Sequence, residues 1–372
     1  MSTLKFVLPL CLALAPCVFS GCAKSQADVA EAPVKEAAEA VQNVAENAEQ
    51  TNVAQGNAKP EGSVVTNGGA EIKLADLQYC TLDENAPKVF YLADINPDSI
   101  IKVYDAMQWT PTGKVAVKIS TGEPPASNYL DPQLIAPVVK KVNGSFVECN
   151  TAYNGSRAET AMHYQVAKDH GFTDVAKLQI LDEDGDMTLP VDGGACLKEN
   201  LVGKAFADYD SYLVLSHFKG HQMAGFGGAI KNISIGLGSS KGKNLIHTGG
   251  KGGNMFAADQ NEFCDSMADA GKSVSDYLDK GKKIVYVNIM NRLSIDCDCN
   301  GHPAEPDMRD VGVLASTDPV ALDQACIDLV WNTEGNETFV ERVNQQNGLR
   351  TLETAQKIGL GSRAYRLIDL GK

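Results

Sequence analysis

Residues 71–372 predict an α/β domain, a largely parallel sheet with helices on both faces, arranged as one domain or as two α/β halves. Three observations carry the prediction. Apolar strand runs alternate with helical patterns along the whole segment, the order that gives parallel pairing. Two helical patterns open on an N-cap followed by proline, at Asp131-Pro132 and Asp318-Pro319. Polar loops rich in glycine and proline follow the strand runs, on the side of such a sheet where ligands bind.

The elements follow in order. KVFYLAD (88–94) is the first strand run, and 97–108 carries the helical pattern after it. KVAVKIS (114–120) leads into the loop STGEPPASNYLDP (Ser120 to Pro132) and a helix over 131–142. SFVECNT (145–151) leads into NTAYNGSRAET (Asn150 to Thr160) and a helix over 158–170. KLQILD (177–182) is the next strand. The DEDGD that follows, Asp182 to Asp186, lacks the full twelve-residue calcium-loop pattern and is read as a solvated turn. SYLVLSH (211–217) runs into a glycine-rich stretch, and a helix is expected over 262–280. KIVYVNIM (283–290) leads into NRLSIDCDCNGH (Asn291 to His302); VGVLAS (311–316) and helices over 318–332 and 336–346 complete the pattern. The four loops after 114–120, 145–151, 211–217 and 283–290 are expected to meet at one edge of the sheet.

The segment before the domain is of another kind. Residues 1–21 read as an export signal, with Lys5 before the apolar Phe6 to Val18, a stretch shorter than a membrane span. Val18-Phe19-Ser20-Gly21-Cys22 resembles a lipobox, so Cys22 is expected to be lipidated and to hold the protein on a membrane outside the cytoplasm; simple secretion is the alternative. Residues 22–70, Ala/Glu-rich and of low complexity, are expected to form a tether, or else a small coiled-coil stalk. The formal net charge of −14, with no basic patch to offset it, argues against a nucleic-acid partner. Cys22 and the two cysteines of the signal aside, seven of the ten cysteines lie in the domain, an odd number that cannot all pair within one chain.

Three motifs carry the chemistry. In SHFKGHQMAGFGGAIKNISIG (Ser216 to Gly236), His217 and His221 have metal-ligand spacing, but the glycines argue against continuous helix there. A glycine-rich turn after a strand brings backbone N–H groups to an anion or cofactor, which makes Gly225, Gly227 and Gly228 candidate binding positions, with Lys219 and Lys231 adding charge. GSSKGKNLIHTGGKGG (Gly238 to Gly253) holds Lys241, Lys243, Lys251 and His247 among glycines without the phosphate-loop spacing. It reads as a mobile basic loop or as a lid over a carboxylate or phosphate. DCDC (Asp296 to Cys299) places two thiols two apart, where Cys297 and Cys299 could clasp a soft metal, form a local disulfide or stay free. No ferredoxin-type C-x₂-C-x₂-C run is present.

The motifs NYLDP, NTAYNGSR, HYQVAKDHGF, LSHFKGHQMAGFGGAIKNISIG, NRLSIDCDC and ASTDPVALDQAC resemble those of the bacterial and archaeal domain of unknown function 362 family, over roughly 88–365. The run from His221 through AGFGGAIK to Lys231 and on to His247 is similar to the core motif of the nickel-pincer lactate racemases. That resemblance implies Lys231 for covalent cofactor attachment, His221 for proton handling and His247 as a metal ligand. STGEPP stands where the racemases carry an Asp-x-x-Arg-Pro substrate loop.

Two functions are therefore expected of the chain. One is an extracytoplasmic, membrane-anchored enzyme with a metal or metal-bearing cofactor (nickel, iron or zinc), redox-active or racemase-like on a small carboxylate. Its site is drawn from His217, Lys219, His221, Lys231, His247, Cys297 and Cys299. The other is a lipoprotein that binds a metal or a small anion without turnover.

Overall fold

Short apolar runs and capped helices give fourteen strands and nine α-helices among residues 59–372, the part of the chain that this computed structural model describes. The strands are β1 (Ser63–Val65), β2 (Glu71–Lys73), β3 (Lys88–Leu92), β4 (Val115–Lys118), β5 (Ser145–Glu148), β6 (Leu178–Ile180), β7 (Asp186–Pro190), β8 (Glu199–Gly203), β9 (Ser211–His217), β10 (Lys219–His221), β11 (Gly225–Gly227), β12 (Ile284–Met290), β13 (Gly312–Ser316) and β14 (Arg366–Asp369). The helices are α1 (Pro97–Ala106), α2 (Pro132–Lys141), α3 (Thr160–Asp169), α4 (Ala229–Ser234), α5 (Ser240–His247), α6 (Gln260–Tyr277), α7 (Pro319–Trp331), α8 (Glu337–Gln345) and α9 (Arg350–Lys357). None of them is long and apolar enough to cross a membrane.

Eight strands form one sheet in the order β14-β3-β13-β12-β9-β4-β5-β6. Every pair in it is parallel except those made by β13, which runs antiparallel to β12 and to β3. Every residue of β9 and β12 is buried, as central strands covered on both faces require. One face packs on α1 and α2 through Val103, Ile135 and Val139. The other packs on α4, α6 and α7 through Ile230, Ile233, Val274 and Leu322. The architecture is thus a largely parallel sheet with helices on both faces, and a single eight-stranded sheet replaces the option of two halves.

Each of the seven expected strand runs contains a strand, and each of the six expected helices is present. The caps are those the residues predict: Asp131 accepts from Gln133 N–H, and Asp318 from Val320 and Ala321 N–H. Four features depart from expectation. Residues 63–65, inside the expected tether, form β1 against β2, and Val64 is fully buried, so the domain starts before residue 71. Ser240–His247 is helix rather than loop: Ser239 caps Gly242 N–H, and the Asp182 carboxylate takes the Ser240 N–H from a distant turn. That contact also gives DEDGD a structural task. The hairpin β7–β8 and the edge strand β14 were not foreseen, being short and only partly apolar. The expected signal 1–21, the lipidated Cys22 and the tether as far as residue 58 lie outside the described residues.

Candidate functional site

The carboxyl ends of β4, β5, β9 and β12 lie side by side, and the loops leaving them enclose a cavity of about 330 Å³. Backbone bonds stitch its rim. Glu123 N–H donates to Asp298 O, Ala126 N–H to Gly301 O, and Gly220 N–H to Ser294 O. The sequence motif 216–236 divides here into parts: β9 ends at His217, β10 and β11 form a hairpin, and α4 starts only after Gly228. The Asp323 carboxylate caps that start, accepting the Ala229 N–H at 2.7 Å and the Ile230 N–H at 2.9 Å. This short helix places Lys231 and Asn232 on the cavity wall.

Most of the expected site residues meet here. His217, Lys219, His221, Gly227, Gly228, Lys231, His247, Cys297 and Cys299 all line the cavity. Gly225 does not. At φ +78° it turns the hairpin, and a Cβ there would meet Val343 and Gly348, so it serves packing rather than cofactor binding. Gly227 lies against the Lys231 and Lys219 stems; a Cβ there would stand 3.4 and 3.7 Å from them, at ordinary contact distance.

The histidines differ in what their nitrogens can do. His217 Nδ1 lies 2.9 Å from Asp298 Oδ1 and Nε2 lies 2.6 Å from Asn291 O. Both ring nitrogens face acceptors, so His217 has no lone pair for a metal, and its expected role as ligand is replaced by that of an anchor for Asp298. His221 Nδ1 accepts from Met223 N–H at 3.1 Å and Ala224 N–H at 2.9 Å. Burial first, then Lys231 and His247, keep its imidazole neutral, well below the usual histidine range. With Nδ1 accepting, the ring proton sits on Nε2, which points to Cys299 Sγ at 3.8 Å. His247 is the reverse. Its Nδ1–H donates to Lys243 O at 2.6 Å and its ring stacks on Phe263, leaving the Nε2 lone pair without a partner among the described residues. Burial pulls it down to about 4. A buried N–H donor and a buried N acceptor therefore line the same cavity.

The lining is cationic in an acidic protein. Lys118, Arg157, Lys219, Lys231 and Lys243 face two lining carboxylates, Glu148 and Asp298, and Glu123 pairs with Arg157 at 3.0 Å. Five cations against three carboxylates leave an excess of two. Asp298 bonds Lys219 at 2.6 Å and is 1% exposed; burial alone would raise its carboxyl, but Lys219 and His217 outweigh burial and hold it well below the usual range. Glu148, bonded to Arg157 at 2.9 Å and to Thr121 N–H, is held low in the same way by His163, Arg157 and Lys118. Burial lowers Lys118 to about 8 and, with help from Lys219, Lys231 to about 7. Lys118, Glu148 and Arg157 escaped the sequence reading. A trace was present for two of them: Lys118 and Glu148 are lone charges at the ends of otherwise apolar strand runs, where a charge is rarely placed without a task. Lys243, expected on a basic loop, is buried, whereas Lys241 and Lys251 are exposed and pair with Asp186 and Glu262.

Cys297 and Cys299 are joined as a disulfide. In that state they offer no thiolate. Their sulfurs and a His221 ring nitrogen lie within 4.8 Å of one another, the one such group of three possible metal ligands among the described residues. Cys264 and His302 are not in that group. Cys149 also lines the cavity, but burial pushes its thiol up to about 12, so it stays protonated.

The family model described as Domain of unknown function (DUF362) matches residues 115–328, which include β4 and every cavity residue named above. No curated protein matches the chain. Among solved structures, the chain is similar to the lactate racemase apoprotein from Thermoanaerobacterium thermosaccharolyticum, at 12% identity and a TM-score of 0.38, over 72% of this chain and 62% of that one. It is similar also to a protein from Thermotoga maritima, at 11% identity and a TM-score of 0.36, over 70% of this chain and 58% of that one. The chain thus spans less than two thirds of either protein.

Proposed function

The chain belongs to the DUF362 family, and from that premise we propose that it is a membrane-anchored, extracytoplasmic enzyme that binds a small carboxylate in the strand-end cavity and moves a proton on it, with a metal-bearing cofactor. The observation that carries the reading is the pairing of two neutral imidazoles of opposite hydrogen-bonding sense, His221 as N–H donor and His247 as lone-pair acceptor, inside a cavity with an excess of two cations. Cations attract and orient the carboxylate. Among them Lys219 uses one of its three N–H groups, on Asp298, and keeps two for a ligand. His247 takes a proton from the bound molecule, and His221 gives one or holds developing negative charge with its N–H. Neutrality at pH 7 is what each role needs, and burial supplies it.

His247 has one open lone pair, at Nε2, because its Nδ1–H is tied to a backbone carbonyl; in this reading that lone pair takes the proton and is not a metal ligand. His221 does not suit a metal either, because its Nδ1 already accepts two N–H bonds and a metal at Nε2 would require an imidazolate. Reduced Cys297 and Cys299 would supply thiolates; Lys231 is the attachment point that the racemase-like spacing implies. A bound nickel, iron or zinc centre would supply Lewis-acid or redox chemistry.

The test uses full-length protein extracted in detergent. Metal content and intact mass are measured, and L-lactate is incubated with it in deuterium oxide. The reading expects stoichiometric metal, and deuterium at the α-carbon that is lost in His247→Ala. Anion binding without exchange, in metal-replete protein, would move the chain to the alternative, a lipoprotein that binds its anion without turnover. Metal-free protein from cells grown with all three metals would remove the metal from either reading.

A further inference from the structure

Four lysines line the cavity, and three of them are occupied. Lys118 Nζ donates to Ile119 O and Asn232 Oδ1, Lys219 Nζ to Asp298, and Lys243 Nζ to Gly238 O. Lys231 Nζ has no acceptor among the described residues. The whole local design keeps it that way. Its neighbours on the wall are the cations Lys219, Lys118 and Arg157, offset in part by the Asp298 carboxylate that Lys219 already occupies, and α4 is pinned behind it by the Asp323 cap. An ammonium has three donors to satisfy, and a half-buried one that satisfies none is poorly placed as a structural charge. As an amine it is well placed: desolvation beside another cation is the arrangement that frees a lysine lone pair for attack on a carbonyl.

We propose that Lys231 is a covalent capture group whose amine condenses with the carbonyl carbon of a small 2-oxo acid to form an imine. The Nζ lone pair forms the C–N bond, the carbonyl oxygen is protonated, and it leaves as water with the two amine hydrogens. No oxidant or reductant enters. His221 Nε2–H and His247 Nε2, on the same cavity, can give and take the protons in transit. The carboxylate beside the carbonyl is held by the remaining N–H groups of Lys219, which makes a 2-oxo acid a better fit than an uncharged ketone. Burial and Lys219 bring Lys231 to about 7, so the amine is available at neutral pH. The inference rests on the carboxylate-binding reading of the cavity and takes the place, at Lys231, of the cofactor attachment that the racemase-like spacing implies, since one amine cannot carry both.

Full-length protein is incubated with pyruvate, and in parallel with acetone, then reduced with cyanoborohydride and mapped by peptide mass. The expected result is one reduced pyruvyl adduct on Lys231, more of it from pyruvate than from acetone, increasing as pH rises through about 7, and absent in Lys231→Arg. Equilibrium dialysis with radiolabelled pyruvate is run on both proteins. Binding without an adduct at Lys231, an adduct spread over surface lysines, or a Lys231 that already carries another group overturns the inference and leaves the carboxylate-binding reading standing. No binding at all overturns both.

Discussion

Asp298 holds His217 and Lys219 on one buried carboxylate, and its removal exposes what each of them is for. In Asp298→Asn, His217 and Lys219 lose their shared carboxylate while remaining buried. Breaking such a buried pair costs about 3–5 kcal/mol, so a clear fall in melting temperature is expected near neutral pH. Because the folded carboxyl is held below the unfolded value, its contribution is present above the unfolded pKa and lost only as pH falls through the folded one. The variant's deficit should therefore shrink in strong acid; a deficit constant down to acid unfolding contradicts the pairing. Lys231 behaves with the opposite sign. Its folded pKa of about 7 lies below the unfolded value, so the folded chain carries the full burial penalty below pH 7 and loses that penalty as pH rises toward 10.5. Lys231→Met should melt higher than the native protein at pH 6, with the advantage fading across that alkaline range. At this scale the sequence was informative where residue type and spacing coincide, as at His221, Lys231 and His247. It was silent about which nitrogen of each ring is engaged, because that depends on backbone groups such as Ala224 N–H and Lys243 O, whose directions only the fold sets.

The elements that matter most are short, and they are located by contact rather than by propensity. Strands β9 and β12 were legible because an uninterrupted apolar run has few other homes. Helix α4, only six residues from Ala229 to Ser234, was not, since Asp323 from α7 supplies the cap that its own glycine cannot. Helix α5 has its own cap in Ser239, but its glycine and close-set lysines read as loop, and the tie of its first turn to Asp182 is a contact only the fold makes. The convergence of four strand-end loops was expected from topology alone and holds in the cavity. Two glycines test how the loops are seated. A Cβ at Gly220 would collide with the Ile295 backbone, and one at Gly228 with the Asp323 carboxylate. Gly220→Ala should force β10 away from the loop 294–302 and weaken pyruvate binding in dialysis, with a stability loss of about 1–3 kcal/mol. Gly228→Ala should disturb the α4 cap and lower the Lys231 adduct yield more than it lowers pyruvate binding. Equal losses in the two measurements would show that α4 does not position the amine.

For the molecule as a whole, charge is segregated: the chain carries −14 in total, yet its cavity has an excess of two cations. Buried charges are screened less than exposed ones, so pyruvate affinity should change only weakly between low and physiological salt. A steep salt dependence would place the anion on the surface instead. The anchor is tested at the same scale. Cys22→Ser should leave the protein unlipidated and shift it from the membrane fraction to the soluble one; retention in the membrane would refute the expected lipidation. Composition and the residues around Cys22 suggested the anchor, which lies outside the described residues 59–372. The stitched rim of the cavity has one more consequence, which concerns time. Its backbone bonds join Glu123 to Asp298 and Ala126 to Gly301, and β3 pairs with β13 across most of the chain. Contacts of such long sequence separation form late and make folding slow. The lining runs from Lys118 to Cys299, so no chain synthesised short of that loop can own this cavity, and whatever fills it must arrive after these distant segments have come together.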